Sequence, residues 1–379
     1  MWYDRDFKIG VLGGGQLGRM LLQEAPNLNL QICIMDKDPN APASKMAYDF
    51  VNEDILDYDA VLQFGQDKDV ITVEIENVNI DALEELERQG KKVYPQPHVL
   101  RTIQDKGSQK QFYLEHQIPT APFKLCDNII EFSTRIHKFP VVQKLRIGGY
   151  DGRGVQIIKD EKDLYRAFDE PNIMEELIDF EKEISVVVAR NESGEIAHFP
   201  VVECQFNPEA NLVEFLFAPA QISEAIEEEA IAIAKKTIEA FDMVGLLAVE
   251  MFVTKDGKVL VNESAPRPHN SGHHTIECNA TSQFEQHLRA ILNLPLGSTK
   301  LIRPGVMINL LGEVGYHGTV EYVHIHEALA IPGVYVHLYG KCETKPYRKM
   351  GHITVVGRDL KTAIGKAKEV QELVKVKAK

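Results

Sequence analysis

The 379-residue sequence predicts an α/β domain, followed by a larger α+β domain and a small β-rich C-terminal module. Three observations carry this. The chain opens β-α-β: an apolar run over Phe7–Gly13, a glycine turn, the helical pattern Met20, Leu21, Leu22, and a second strand over Gln31–Asp36. A strand over Val70–Ile75 and a helix over Ile80–Gln89 extend the alternation to about residue 100. A Pro-containing passage, Tyr94–His98, and a helix near Lys106–His116 then lead into strands with hairpin turns at Ser193-Gly194 and Asp256-Gly257. After a helix over Ser282–Leu292 and Pro295-Leu296-Gly297, short strands dominate from about residue 300, with one late helix over Leu360–Val374. The domains are placed at residues 1–100, 101–298 and 299–379.

This length exceeds what one core usually supports, which agrees with two or three domains. Charged residues at 26% and apolar residues at 44% describe a folded protein, not a disordered one. The formal net charge of −14 argues against a nucleic acid partner, because phosphate-backbone binding begins with a basic face. Small anions need only a few local cations or N–H groups. Cys33, Cys126, Cys204, Cys278 and Cys342 are widely spaced, odd in number and without a C-x-x-C pair, so neither disulfides nor zinc are signalled. With no apolar leader and no membrane-length apolar stretch, a cytoplasmic enzyme is expected.

Gly13, Gly15 and Gly18 satisfy G-x-G-x-x-G between a strand and a helix, and Asp36 ends the second strand where a ribose acceptor could stand. This permits an NAD-dependent oxidoreductase, but a plain tight turn or a simple phosphate-ester site explains the glycines as well.

The segment Glu250–Glu263 places β-branched and aromatic residues on both sides of Asp256-Gly257. With those two residues as the loop, Lys255 faces Lys258, Thr254 faces Val259, Phe252 faces Val261, and Glu250 falls opposite Glu263. Opposed side chains have Cβ atoms roughly 5 Å apart. The repulsion, about 4 kcal/mol at ~4 Å and an effective dielectric of ~20, calls for a neutralising cation. Oxygen ligands favour Mg²⁺ shared with nucleotide phosphates.

Between two short strands lies Lys144-Leu145-Arg146-Ile147-Gly148-Gly149-Tyr150-Asp151-Gly152-Arg153-Gly154-Val155, a loop able to lay N–H groups over phosphates or to be a plain surface hairpin. It lacks the Walker pattern. Ile173-Met174-Glu175-Glu176-Leu177-Ile178 is an apolar strand with two acids, followed by Glu183; alone it reads as an ordinary edge strand.

In order, these features resemble the ATP-grasp superfamily over nearly the whole chain. Gly13-Gly14-Gly15-Gln16-Leu17-Gly18-Arg19-Met20, the Gly148–Gly154 loop, Asn262-Glu263-Ser264-Ala265-Pro266-Arg267-Pro268-His269-Asn270-Ser271-Gly272-His273 and Arg348-Lys349-Met350-Gly351-His352 resemble the 5-(carboxyamino)imidazole ribonucleotide synthase family within it. Glu203-Cys204-Gln205-Phe206 departs from that family's common Glu-Asn followed by His. The resemblance implies an ATP-grasp fold with an N-terminal Rossmann-like (pre-ATP-grasp) domain and a small C-terminal β-rich domain. It implies ATP held by Lys106, Lys144, the loop Gly149, Tyr150, Asp151, Gly152, Arg153, Gly154 and Val155, by Glu175, Glu176, Leu177, Ile178 and Glu183, and by Asn262 and Glu263. Glu250, Glu263 and Asn262 would hold Mg²⁺. Aminoimidazole ribonucleotide would meet Glu76, Asn77, Arg267, Asn270, Ser271, Lys345, Arg348 and Lys349, with Tyr150, Asp151, Arg267, His273 and Lys345 serving the chemistry. The implied reaction is ATP-dependent carboxylation by bicarbonate through carboxyphosphate, in a homodimer. A formate-activating ATP-grasp ligase and the oxidoreductase are the alternatives.

Overall fold

The runs KIGVL (Lys8–Leu12), QICIM (Gln31–Met35) and VITV (Val70–Val73) are almost wholly buried, as strands covered on both faces of a parallel sheet require. This computed structural model describes residues 1–149, 154–207 and 212–379. The three runs and the short strands Asp49–Val51 and Lys92–Val93 make one parallel sheet, with Lys8–Leu12 at its centre. Asp57 and Asn79 accept N–H groups at the starts of helices Tyr58–Gly65 and Ile80–Arg88, the cap residues that satisfy otherwise orphaned donors. The Tyr94–His98 passage continues into a helix, Pro97–Gln104, with proline in its first turn where no N–H is needed.

The glycine turn between Lys8–Leu12 and helix Gln16–Glu24 is filled by the chain itself. Glu74 accepts from Gly18 N at 2.8 Å, and Asp36 accepts from Gly14 N at 2.7 Å. A Cβ at Gly13 or Gly15 would collide with the Glu74 side chain, so these glycines make room for an internal carboxylate. The N–H groups that a dinucleotide pyrophosphate would use are already bonded, which counts against the NAD reading.

Among the described residues, a small antiparallel sheet runs Phe123–Cys126, Asn172–Glu176, Val141–Leu145, Val155–Ile158. The large sheet runs from Val259–Ala265 through Gly245–Thr254, Phe180–Arg190, Val202–Asn207 and Leu212–Ala218 into Gly305–Leu311, Lys349–Val356 and Val334–Leu338. The β-rich C-terminal segment therefore continues the preceding sheet: Phe217 pairs with Val306, and Ile308 with Ile353. This places Lys349 on the same sheet as Glu250.

Helix Gln283–Ile291 joins the parts. Phe284, Leu288 and Ile291 pack with Leu17, Met20 and Leu21 of the first helix and with Tyr339 near the C-terminus. His287 Nε2 meets Thr72 Oγ1 of the first sheet at 2.9 Å. Its start is set by Ser282, whose hydroxyl accepts from Glu285 N.

Candidate active site

The acids stand on the hairpin Gly245–Thr254/Val259–Ala265, and Glu250 is the register partner of Glu263. The expected pair forms, but by another route. Thr254 N donates to Lys258 O, closing a three-residue loop with Gly257 at φ +80°, so Val253 faces Val259 and Met251 faces Val261. The register from a two-residue loop is thus off by one near the turn. A bulge at Asn262 restores it, so that Glu263 again meets Glu250. Bulges re-aim side chains, and this one turns Asn262 and Glu263 toward two lysines.

Lys106 opens helix Lys106–Glu115, which Asp105 starts by accepting from Gly107 N and Ser108 N while holding Arg146. From there Lys106 Nζ reaches the Glu263 carboxylate. Lys144, on Val141–Leu145, donates to Asn262 Oδ1 at 2.8 Å and pairs with Glu175 at 2.8 Å. Glu175 is nearly fully buried, and its other oxygen faces the buried Lys110 at 3.0 Å. Lys110 also donates to Thr120 Oγ1 at 2.6 Å, and that hydroxyl donates to Val261 O of the hairpin. Two lysines, one glutamate and the acid hairpin are thus knitted together. Lys110 was not anticipated; it lies four residues after Lys106 on one helix face, a spacing that could have flagged it.

Charge follows geometry. Lys106 holds the Glu263 carboxyl down at about 2. Burial, with Glu263 and Glu183 adding to it, pushes Glu250 up to about 8. Burial likewise raises Glu183 to about 7, against the pull of Lys144. The repulsion in the pair is relieved on the Glu263 side by the Lys106 ammonium, while burial disfavours charge on Glu250. Two half-buried hard-oxygen acids with an amide oxygen beside them fit Mg²⁺. Cys204, at the position that departs from the resembled family, lines the same hollow with Glu183, Glu250 and Asn262.

The second half of the site faces the first domain. Arg267 reaches across to Glu76 with Nε and Nη2, the latter at 3.1 Å from Oε1, a forked pair that matches carboxylate geometry. Burial alone would raise Glu76, but Arg267 outweighs it and keeps the carboxyl below its usual value. Glu74 and His269 join this group. His269 Nδ1 lies 3.7 Å from Glu250 Oε1 and 2.9 Å from Ser271 Oγ, and burial, helped by Arg267 and Lys349, lowers the ring to about 3. Both were missed as site residues, although His269 stands inside the quoted string and Glu74 two residues before Glu76 on the strand end.

Other expected contacts are placed elsewhere. His273, 1% exposed, sits behind the wall, and Ser271 is equally buried with its hydroxyl on Ser185 Oγ at 2.9 Å. Asn270 and Asn309 exchange amide hydrogen bonds at 2.9 Å. All three are bonded to protein partners, with Ser271 and His273 buried and Asn270 half-buried. Of the basic cluster, Lys349 is close enough to act electrostatically on Glu250 and His269, Arg348 donates to Glu343 O at 2.8 Å, and Lys345 is exposed. Glu175 is paired with Lys110 and Lys144, Glu176 and Leu177 are exposed beyond it, Ile178 is half-buried, and Asn77 is exposed beside Glu76. Gly149, Gly154 and Val155 flank Tyr150, Asp151, Gly152 and Arg153, which lie outside the described residues.

Comparison with known proteins agrees with this arrangement. Residues 7–104 match the ribonucleotide synthetase preATP-grasp domain, 111–284 the ATP-grasp domain, and 305–366 the phosphoribosylaminoimidazole carboxylase C-terminal domain. The chain is 40% identical over 355 residues to N5-carboxyaminoimidazole ribonucleotide synthase of Synechococcus elongatus, covering 92% of this chain and 89% of that one. It is also 40% identical to the chloroplastic phosphoribosylaminoimidazole carboxylase of Vigna aconitifolia, covering 93% of this chain but only 64% of that longer protein. The crystal structure of N5-carboxyaminoimidazole ribonucleotide synthetase from Thermotoga maritima superposes with a TM-score of 0.92 at 46% identity, over 98% of this chain and 100% of that one. The Aspergillus clavatus enzyme, in complex with ADP and 5-aminoimidazole ribonucleotide, gives 0.88 at 34% identity over 98% and 100%. With an ATP-grasp fold, a preATP-grasp domain before it and the C-terminal domain after it, the chain belongs to the N5-carboxyaminoimidazole ribonucleotide synthase family.

Proposed function

We propose that this chain carboxylates 5-aminoimidazole ribonucleotide with bicarbonate at the expense of ATP, giving 5-(carboxyamino)imidazole ribonucleotide, ADP and phosphate in purine biosynthesis. The observation that carries it is the Glu250–Glu263 pair with Lys106 and Lys144 docked beside it, facing the Arg267–Glu76 pair between the first two domains. The first group suits nucleotide phosphates and the second a cation-seeking ribonucleotide.

Glu250, Glu263 and Asn262 would hold Mg²⁺, which when bound neutralises phosphate charge and orients the transferring group. Lys106 and Lys144 present fixed positive charge to the β- and γ-phosphates once the nucleotide displaces their internal partners. For phosphoryl transfer such positioning and electrostatic stabilisation supply most of the catalysis. A bicarbonate oxygen attacks the γ-phosphorus and ADP leaves, producing carboxyphosphate. The exocyclic amine then takes the carboxyl carbon, releasing phosphate and giving up a proton. Asp151 or His273 would take that proton. Arg267, Lys349 and Arg348 would hold the ribonucleotide phosphate, and the Gly149–Val155 loop would cover the nucleotide and keep water from carboxyphosphate. A cytoplasmic homodimer is proposed from the family resemblance.

The test is ADP release from Mg²⁺-ATP with bicarbonate, with and without aminoimidazole ribonucleotide. Strong stimulation by both substrates, and a loss of about 10²-fold or more in Glu263→Gln, is the expected result. Turnover that needs formate instead of bicarbonate would overturn the choice of acid.

A further inference from the structure

Behind the wall that carries Arg267 and His269 lies a fully buried amide, Gln283, the first residue of helix Gln283–Ile291. His269 N donates to Gln283 Oε1 at 2.9 Å, while Gln283 Nε2 donates to His269 O at 2.8 Å and meets His273 Nδ1 at 3.1 Å. The amide orientation is forced, because a backbone N–H only donates and a backbone carbonyl only accepts. His273 Nδ1 is therefore the acceptor, and its ring carries the proton on Nε2. Gln283 is itself seated by its own N–H on Thr275 Oγ1 at 2.8 Å. Gly272 leaves the space: a Cβ there would collide with the Gln283 amide.

We propose that Gln283 is a positioning residue for the ribonucleotide half of the site, gripping the His269 backbone so that Arg267 faces Glu76. This rests on the function proposed above. Arg267 and His269 are two residues apart, so a shift of the His269 peptide moves the Arg267 contact with Glu76. Displacements of about 1 Å in a reacting geometry cost on the order of 10²-fold in rate. The nucleotide lysines stand on other elements, Lys106–Glu115 and Val141–Leu145, and are not gripped by this amide.

The same helix contains its own control. Gln286 is also fully buried and grips one residue at both backbone atoms, donating to Gly297 O at 3.1 Å and accepting from Gly297 N at 2.8 Å. That grip falls on the connector after the helix instead of the Arg267–His269 segment.

The experiment compares Gln283→Leu, Gln283→Glu and Gln286→Leu in the full chain. Expected are similar falls in thermal midpoint for the two leucine variants, Mg²⁺-ADP affinity within about twofold of wild type for all three, and a kcat/KM for the ribonucleotide reduced about 10²-fold in Gln283→Leu but not in Gln286→Leu. Gln283→Glu keeps the acceptor for His269 N–H but sets its second oxygen against His269 O and His273 Nδ1, which both accept, so its ribonucleotide kcat/KM also falls, and it carries the test if the leucine variant does not fold. Equal kinetic losses in Gln283→Leu and Gln286→Leu, or unchanged ribonucleotide kinetics in a folded Gln283→Leu, would overturn the proposal. Wild-type protein assayed alongside separates the two readings. If it shows no ribonucleotide-dependent turnover the functional reading falls, and the grip is then judged from the ¹⁵N signals of His273: an unprotonated Nδ1 that shifts in Gln283→Leu supports it, and a protonated Nδ1 in wild type sinks it.

Discussion

At the scale of single residues, Glu175 shows how burial and charge together set a role. Burial alone would raise its carboxyl, but the ammonium groups of Lys144 and Lys110 outweigh that and hold it below its usual 4.5. Lys110, pulled down to about 8 by its own burial, depends on Glu175 as its ion-pair partner. Removing one member of a buried pair strands the other, typically at about 3–5 kcal/mol. Glu175→Gln is therefore expected to lose about 3 kcal/mol at pH 7 and to weaken nucleotide binding through Lys144. An acid whose value is lowered on folding stabilises the fold above its unfolded value, and that contribution disappears as pH falls through the folded one. The gap between wild type and variant in urea midpoint should thus be widest near neutrality and narrow below pH 4.5. A constant gap across that range would remove the ion-pair explanation.

At the scale of elements, the acid hairpin depends on two irregularities that compensate. The three-residue loop shifts pairing by one, and the bulge at Asn262 shifts it back. Gly257 occupies φ +80°, which L side chains rarely adopt, and nothing lies within 4 Å of where its Cβ would stand. Gly257→Ala should therefore cost about 1 kcal/mol through backbone strain alone and leave nucleotide and ribonucleotide KM values unchanged. A changed KM would mean that the loop sets the register of Glu250 and Glu263 more directly than the bulge does. The helix Lys106–Glu115 is a second such element: its cap Asp105, its first residue Lys106 and the following turn's Lys110 are ordered by one short stretch of chain.

At the scale of the whole molecule, the site exists only because three regions close on it. Helix Gln283–Ile291 docks the first sheet onto the second domain through Phe284, Leu288 and Ile291, and the C-terminal strands extend the large sheet to bring Lys349 near Glu250. Leu288 is fully buried at that junction. Leu288→Ala should cost about 2–5 kcal/mol, read as a lower thermal midpoint, and should speed amide exchange in the strand Val70–Val73. Loss of stability with unchanged exchange in the first sheet would show that the regions are held together elsewhere.

Local chemistry wrote much of this protein into its sequence. The β-α-β opening, the capped helices and the hairpin around Asp256-Gly257 follow from periodicity and turn residues, which act over a few residues, whereas the facing of Glu250 and Glu263 also needs the bulge at Asn262 that strand alternation does not show. The oxidoreductase alternative stayed open at that level, because whether glycine N–H groups face a ligand or an internal acid depends on Glu74, 56 residues from Gly18. The same holds for Lys110 on Glu175, for Arg267 on Glu76, and for the inward turn of Ser271 and His273. Burial and pairing across long stretches of chain are properties of the packed interior, and only the tertiary structure decided which polar groups would face the cleft and which would hold its walls.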